Sequence, residues 1–482
     1  MSLISIEFAI FLFIALALNW ALLPFKRLYR LFLLSACYIF YGALSLKFLA
    51  LLINFSVWTF LLGGGIAVCS GIRLRKSLLV LHLLIGIGGL IFFKYYDLLY
   101  ESMGQLAVYV GSAPFLPEID IAVPVGISFF TFQGLSYSID VFRDAGHRVK
   151  SPLDLFIFIA FFPTILCGPI MRASDFVPQI GNMRQDRKSS GEAFCLILSG
   201  LAKKLVVASY LSKHVVQPVF EDYGSYSSFC VALGVLGYSV QILCDFSGYT
   251  DMVRGIALLL GYTTPVNFNY PYSARNLREF WSRWHMSLSF WLRDYLYIPL
   301  GGNRRGKIRA HLNILITMLV GGLWHGPSWT FLLWGGFHGI GISATHLFRD
   351  VRKKIRGRID EGSGPCNPVM DALCRLFTFV FVSVGWIFFR SGSIGQATGL
   401  LHRIIELDPT AKSFPHFVTP VTVCLIATVL FIQAFRVKLV EVTGRLLYER
   451  SLVFEVLVLG LLFGLLLRLG PDGVPEFIYY QF

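Results

Sequence analysis

Long apolar runs separated by short basic turns set the rhythm of this chain. Runs at 8–23, 31–46, 48–69 and 78–99 approach or exceed the ~20 apolar residues needed for a helix to cross a bilayer. Basic turns follow the first run (Lys26, Arg27, Arg30) and the third (Arg73, Arg75, Lys76). Short Lys/Arg-rich loops mark the cytoplasmic side, so the N-terminus is expected outside. A run at 122–142 returns to a basic segment at 143–150. The next run, 153–170, carries Pro163 and Pro169 and has basic residues on both flanks, which predicts a re-entrant segment rather than a span. Runs at 194–220 and 229–247 lead out and back.

A different period follows. Trp281, Trp284, His285, Leu288, Trp291, Leu292 and Tyr295 recur at three- and four-residue steps, which predicts one amphipathic helix over 279–296. Basic residues flank it, and it is expected to enter from the cytoplasmic side. Runs at 312–323 and 329–346 form a hairpin whose tip, Gly326-Pro327, points outward. Further spans are expected at 373–389, 418–435 and 452–467, with the C-terminus outside. The whole reads as an all-α polytopic membrane protein of about 11–12 spans with re-entrant segments, in one domain over 1–482.

Composition agrees. The 482 residues are 55% hydrophobic and 15% charged, against about 25% charged in soluble domains. The net charge of +14 would suggest a nucleic-acid partner in a soluble chain. Here the basic residues sit in inter-span loops, with no basic face carrying interleaved aromatics, so nucleic acid is excluded and the bilayer is the partner. Nine scattered cysteines include no C-x-x-C pair, which speaks against a disulfide framework or zinc site. The first run lacks a basic leader and a small-residue cleavage site, so it reads as a retained helix.

Candidate chemistry gathers around histidines. His325 ends an apolar run just before Gly326-Pro327. An ionisable group in a span is a functional hypothesis by default, and broken backbone at membrane depth lines a buried or wet cavity. Locally, a histidine capping a helix at the interface fits equally well. His285 lies 40 residues earlier. Two imidazoles near one carbonyl can divide the work of base and oxyanion donor, but from local features alone a histidine snorkelling between Trp281 and Trp284 toward the headgroups is the preferred account. His338, among Gly335, Gly336 and Gly339, reads as close helix packing. Asp245 and Asp251 suit a proton or ion site, but local backbone bonds or pairing with Arg254 is the preferred account. No histidine pair has metal-ligand spacing, so no metal is expected. The aromatic tail at 477–482 is expected to dock at the outer interface or cavity.

Several stretches then combine. They are PVGISFFTFQ at 124–133, DFSGYTD at 245–251, NFNYPY at 267–272, EFWSRWHMSLS at 279–289, WLRDYLYIPLGGN at 291–303 and GLWHG at 322–326. Together the chain resembles the membrane-bound O-acyltransferase superfamily, in the bacterial branch of alginate O-acetyltransferases and the D-alanyl transfer protein. The motif-dense core is 124–338. The GGN at 301–303 looks more like the polysaccharide-acetylating branch.

The resemblance implies a ring of helices around a central funnel. A cytoplasmic acyl thioester, expected to be acetyl-CoA, approaches from one side and the acceptor from the other, with no resident cofactor. It matches His325 to the family's catalytic histidine and His285 to its second histidine. Trp324, Trp284, Asp294, Tyr297 and Asn303, within the matched stretches, are the expected substrate contacts. The tail at 477–482 looks like the branch's F-x-Y-x-x-F motif, in which Tyr479 would carry the acyl group as a relay. The implied protein is an inner-membrane enzyme that moves acetyl across the bilayer for O-acetylation of an exported, alginate-like polysaccharide, with a periplasmic acetyltransferase as partner. Cellulose, peptidoglycan or D-alanyl transfer to teichoic acid are the alternatives within the family, and a secondary transporter using Asp245 or Asp251 is the alternative outside it.

Overall fold

The computed structural model describes residues 3–112, 117, 119, 121–182, 187–356, 368–408, 418–448, 458, 460–462 and 464. Among them there is no β-strand. Five helices are long and apolar enough to cross a membrane: Leu46–Val68, Ile72–Val110, Ser189–Glu221, Ser228–Leu259 and Pro368–Arg390. Ile6–Leu22 and Pro420–Phe435 are shorter apolar helices. The chain is an all-α, multi-pass membrane protein. Its contacts fall into two compact units, Met1–Ile197 with Met252–Pro265, and Leu198–Asp251 with Val266–Phe482.

The first unit holds α1 (Ile6–Leu22), α2 (Lys26–Gly42), α3 (Leu46–Val68), α4 (Ile72–Val110), α5 (Ile127–Arg143) and α6 (Pro152–Ala160). Serine hydroxyls cap three of them: Ser5 accepts from the Phe8 N–H, Ser45 from Phe48 and Ser151 from Asp154. Each satisfies an amide that the first helical turn leaves without a partner. With 39 residues, α4 is ~58 Å long at 1.5 Å per residue, so it outruns a ~30 Å hydrocarbon core.

One sequence expectation shifts here. The run at 122–142 starts its helix only at Ile127, because Pro124 and Gly126 hold the preceding backbone open. Gly126 has φ 79°, and a Cβ there would lie 2.3 Å from the Ile165 carbonyl oxygen, so no side chain fits. The run at 153–170 is, as expected, no span. Helix α6 stops at Ala160 after nine residues, and turns follow through Pro163 to Gly168. Residues 157–162 are all buried, the condition under which lipid tolerates irregular backbone. The triple glycine at 63–65 is a close contact: a Cβ on Gly63 would meet the Tyr137 ring at 2.6 Å.

Helix α7 (Arg187–Leu201) continues into π-helices Ala202–Ala208 and Ser212–Val216, and α8 is Ser228–Leu259. The expected end of α8 at 247 is overturned: the helix runs through 245–251, because Asp245 and Asp251 face partners that leave the ladder intact. The expected single helix over 279–296 is also broken. It is α9 (Leu277–Trp281), α10 (Met286–Leu292) and a π-helix, Arg293–Tyr297. The three- and four-residue period runs on across the break: Phe280 of α9, Trp284 and His285 between the pieces, and Leu288 and Leu292 of α10 are all buried.

The expected hairpin is present as α11 (Lys307–His325) and α12 (Trp329–Arg356). Glycine lets the two backbones touch. A Cβ on Gly322 would stand 2.3 Å from the Phe331 carbonyl oxygen, and one on Gly335 2.4 Å from that of Met318. Small residues play this part where helices approach closely in lipid. Then come α13 (Pro368–Arg390), α14 (Ile394–Ile405) and α15 (Pro420–Phe435). The span pattern did not anticipate α14, a short helix capped by Ser393 that buries Ala397 and Leu400.

Candidate functional site

His325 is the last residue of α11, and Gly326 leaves the helix in extended conformation, φ −171° and ψ 159°. The turn is tight, since a Cβ on Gly326 would meet the Phe331 ring at 2.3 Å. The imidazole is 3% exposed. It lies edge-on to Trp334 at 5.1 Å, Phe389 at 5.1 Å and its neighbour Trp324 at 4.9 Å between ring centres. The helix break that makes this residue conspicuous in sequence therefore ends inside the protein, and His325 is no interfacial cap.

His285 is placed by a different device. It occupies the left-handed region, φ 42° and ψ 54°, between α9 and α10. A non-glycine residue held there stores of order 1–3 kcal/mol, and such strain gathers at functional sites. Asn267 imposes it. Its carbonyl accepts from the Met286 N–H at 3.0 Å, and its side-chain oxygen accepts from the Ser287 N–H at 3.1 Å. The Asn269 N–H donates to the Arg283 carbonyl at 2.9 Å. The loop at 267–269 thus clamps the backbone on both sides of His285. The ring is fully buried, edge-on to Phe246 at 4.7 Å.

Trp324 joins the two histidines. Its ring centre is 5.9 Å from that of His285 and 4.9 Å from that of His325. His285, Trp324 and His325 form one continuous buried assembly, so the sequence pair separated by 40 residues is brought together through a shared neighbour. The snorkelling alternative for His285 is excluded by its burial.

The remaining expected contacts are placed differently. Trp284 is fully buried behind His285, stacked on Phe280 at 5.7 Å and against Trp386 at 4.8 Å. Asp294 and Tyr297 lie on the π-helix after α10. The Asp294 carboxylate accepts from Arg293 Nε at 2.7 Å, and the Tyr297 carbonyl accepts from the Gly302 N–H at 2.9 Å. Asn303 is exposed on the turn that follows. Asn313, not anticipated, braces that turn: buried in α11, it donates to the Gly302 carbonyl at 2.9 Å. A lone asparagine in an apolar run was its only signal. Tyr479 lies outside the described residues.

Asp245 and Asp251 meet two partners that the sequence did not single out. Lys204 donates to Asp245 at 2.5 Å with both side chains buried, and Lys203 to Asp251 at 2.6 Å. The lysines precede their partners by 41 and 48 residues, a distance at which sequence shows nothing; Arg254 was the only basic residue in view. Both lysines sit on the π-helix Ala202–Ala208, and Asp245 adjoins Phe246, the ring against His285. Breaking a buried ion pair by removing one partner typically costs about 3–5 kcal/mol. Lys204→Met is therefore expected to lower the thermal midpoint of the detergent-solubilised protein sharply, and Lys204→Met with Asp245→Leu to recover most of it. Equal midpoints for the single and double variants would show that the pair does not act as a unit.

Among the described residues, no three His, Cys, Asp or Glu side chains gather closely enough to hold a metal ion.

Comparison with known proteins decides the family. The model of the membrane-bound O-acyltransferase family matches residues 120–383, more than half the chain. The chain belongs to the membrane-bound O-acyltransferase family. It is 35% identical over 390 residues to the probable alginate O-acetylase AlgI of Pseudomonas putida, covering 80% of this chain and 77% of that one. It is 30% identical over 408 residues to the peptidoglycan O-acetyltransferase of Helicobacter pylori, covering 79% and 74%. A teichoic acid D-alanyltransferase of Bacillus subtilis is 29% identical over 292 residues, covering 57% and 71%. This membrane-bound O-acyltransferase is thus an acyl-transfer enzyme, which sets the transporter alternative aside. His285, Trp324 and His325 all fall within the matched region.

Proposed function

We propose that this acyltransferase takes acetyl from a cytoplasmic thioester, acetyl-CoA being the favoured donor, and delivers it across the inner membrane for O-acetylation of an exported polysaccharide. The observation that carries the reading is the buried His285–Trp324–His325 assembly at the helix break, within a chain similar over four-fifths of its length to an alginate O-acetylase. His325 acts as general base. It takes the proton from an attacking hydroxyl, whose oxygen forms the new bond to the thioester carbonyl carbon. The carbon–sulfur bond breaks, and the thiolate leaves and recovers the proton. His285 positions the donor and stabilises the oxyanion as the tetrahedral intermediate forms. Tyr479 is the proposed relay: its phenol oxygen receives the acetyl and passes it to the acceptor. A periplasmic acetyltransferase completes the transfer onto the polymer.

An alginate-like polymer is favoured over peptidoglycan and teichoic acid because the alginate O-acetylases share the higher identity over as much of the chain or more. Deleting the chain is expected to remove O-acetyl groups from one exported polysaccharide, and a plasmid copy to restore them. Unchanged acetyl on every exported polymer would overturn the reading.

The vectorial part has its own test. The loop carrying Arg304, Arg305, Lys307 and Arg309 is proposed to face the cytoplasm, and both termini the periplasm, on the charge pattern. On a background lacking the nine native cysteines, an impermeant thiol reagent is expected to label Val474→Cys in intact cells and Arg305→Cys only after lysis. The reverse pattern would invert the topology.

A further inference from the structure

His338, which the mechanism does not use, is a buried polar residue in apolar surroundings. It lies on α12, one turn after Trp334, and is fully buried. Six aromatic rings surround it: Phe280, Trp281, Trp334, Phe337, Phe381 and Trp386, with ring centres 5.0–6.4 Å away. Neither ring nitrogen has a hydrogen-bond partner among the described residues. Gly385 of α13 closes one side, where a Cβ would stand 2.7 Å from Nε2.

Its neighbours repeat the pattern. Trp281, Trp334 and His338 touch one another pairwise, at 5.6, 5.3 and 5.0 Å between ring centres. The Nε1 atoms of both tryptophans are buried, also without a partner among the described residues. Three mutually touching rings therefore carry four desolvated nitrogens. Each buried polar group left unbonded costs about 1–3 kcal/mol, and a phenylalanine at 338 would avoid that cost with nearly the same shape. Elsewhere the chain satisfies a buried histidine fully. His82 bonds Thr59 Oγ1 at 3.1 Å and Ser138 Oγ at 2.8 Å. The contrast marks the cluster at His338 as more than a packing accident. It is also contiguous with the chemistry, since Trp334 packs against His338 at 5.0 Å and against His325 at 5.1 Å.

We propose that Trp281, Trp334 and His338 form a donor-rich site for one small neutral oxygen acceptor, and that through Trp334 this site positions His325 for acyl transfer. Two indole N–H groups are donors only, and a neutral imidazole adds one donor and one acceptor. The complement is an acceptor oxygen, either a resident water or a carbonyl of the thioester donor. His338 is a positioning residue, not a catalytic one. The inference rests on the acyl-transfer reading above.

The test uses the purified full chain in detergent, loaded from acetyl-CoA in single turnover, with wild type and His325→Ala alongside. His338→Phe keeps the ring and removes both nitrogens. Its thermal midpoint is expected to equal or exceed that of wild type, while loading slows at least about tenfold, as misplacing a reacting group does. His338→Gln, which restores a donor and an acceptor, is expected to recover part of the rate. A loss in maximal rate alone assigns the oxygen to a resident water; a raised half-saturating acetyl-CoA concentration assigns it to the donor carbonyl. Wild-type rate and half-saturation in His338→Phe would overturn the proposal. So would a loss that merely follows a loss of folded protein and that glutamine does not restore. If His338→Phe does not accumulate, Trp334→Phe carries the same comparison. If wild type itself loads no acetyl, the proposed transfer from acetyl-CoA fails first, and separately.

Discussion

Replacing His325 with alanine is expected to lower acetyl transfer by more than about 100-fold, the usual consequence of deleting a general base. The group removed is the imidazole at the end of α11, 3% exposed and ringed by Trp324, Trp334 and Phe389. Alanine also leaves a hole among those rings, and large-to-small changes in a packed interior typically cost about 2–5 kcal/mol. Activity must therefore be read per folded protein. His325→Gln fills much of the space without supplying a base of suitable strength, so it separates the two effects. If both variants insert at normal levels and both fail, the loss belongs to the imidazole. Near-normal polysaccharide acetyl in cells carrying either well-expressed variant would sink the assignment.

Tyr479→Phe is expected to block delivery of acetyl outside the cell while leaving protein level unchanged. The substitution removes one hydroxyl and keeps the ring, so an aromatic anchor at the membrane interface would tolerate it. A nucleophile would not, because the phenol oxygen is the atom acylated. Tyr480→Phe, one position off the matched motif, is the internal control. The relay predicts wild-type acetylation for Tyr480→Phe and none for Tyr479→Phe. Full acetylation in Tyr479→Phe cells would reduce the tail to an anchor.

The Tyr479 and His325 variants also test different steps. Acetyl-CoA consumption with a good artificial hydroxyl acceptor is expected to survive in Tyr479→Phe and to vanish in His325→Ala. A tail needed for folding would lose both.

Much of the scaffold was legible because lipid makes the rules local. A span needs an unbroken apolar run, and a break needs proline or glycine. Those signals located α3, the α11–α12 hairpin, the turn at Gly326 and the broken segment after α6. Close helix packing through Gly335 and Gly339 was legible for the same reason, since only small residues admit a neighbouring backbone. His325 stood out as an ionisable residue at such a break.

What the sequence by itself determined was the class of protein and the stretches that carry the acyl-transfer motifs. The tertiary structure alone decided how the site is held. Helix period ran straight through 279–296 because Phe280, Trp284, His285, Leu288 and Leu292 are all buried, yet Asn267 clamps the chain between α9 and α10 and holds His285 in a left-handed conformation. Asp245 met a lysine 41 residues away, a partner the sequence did not show. Trp324 came to touch both histidines, and Trp334 to touch both His325 and His338. In each case the deciding partner is distant along the chain. Periodicity records which face of a helix is apolar, but not which residue of another helix that face will meet.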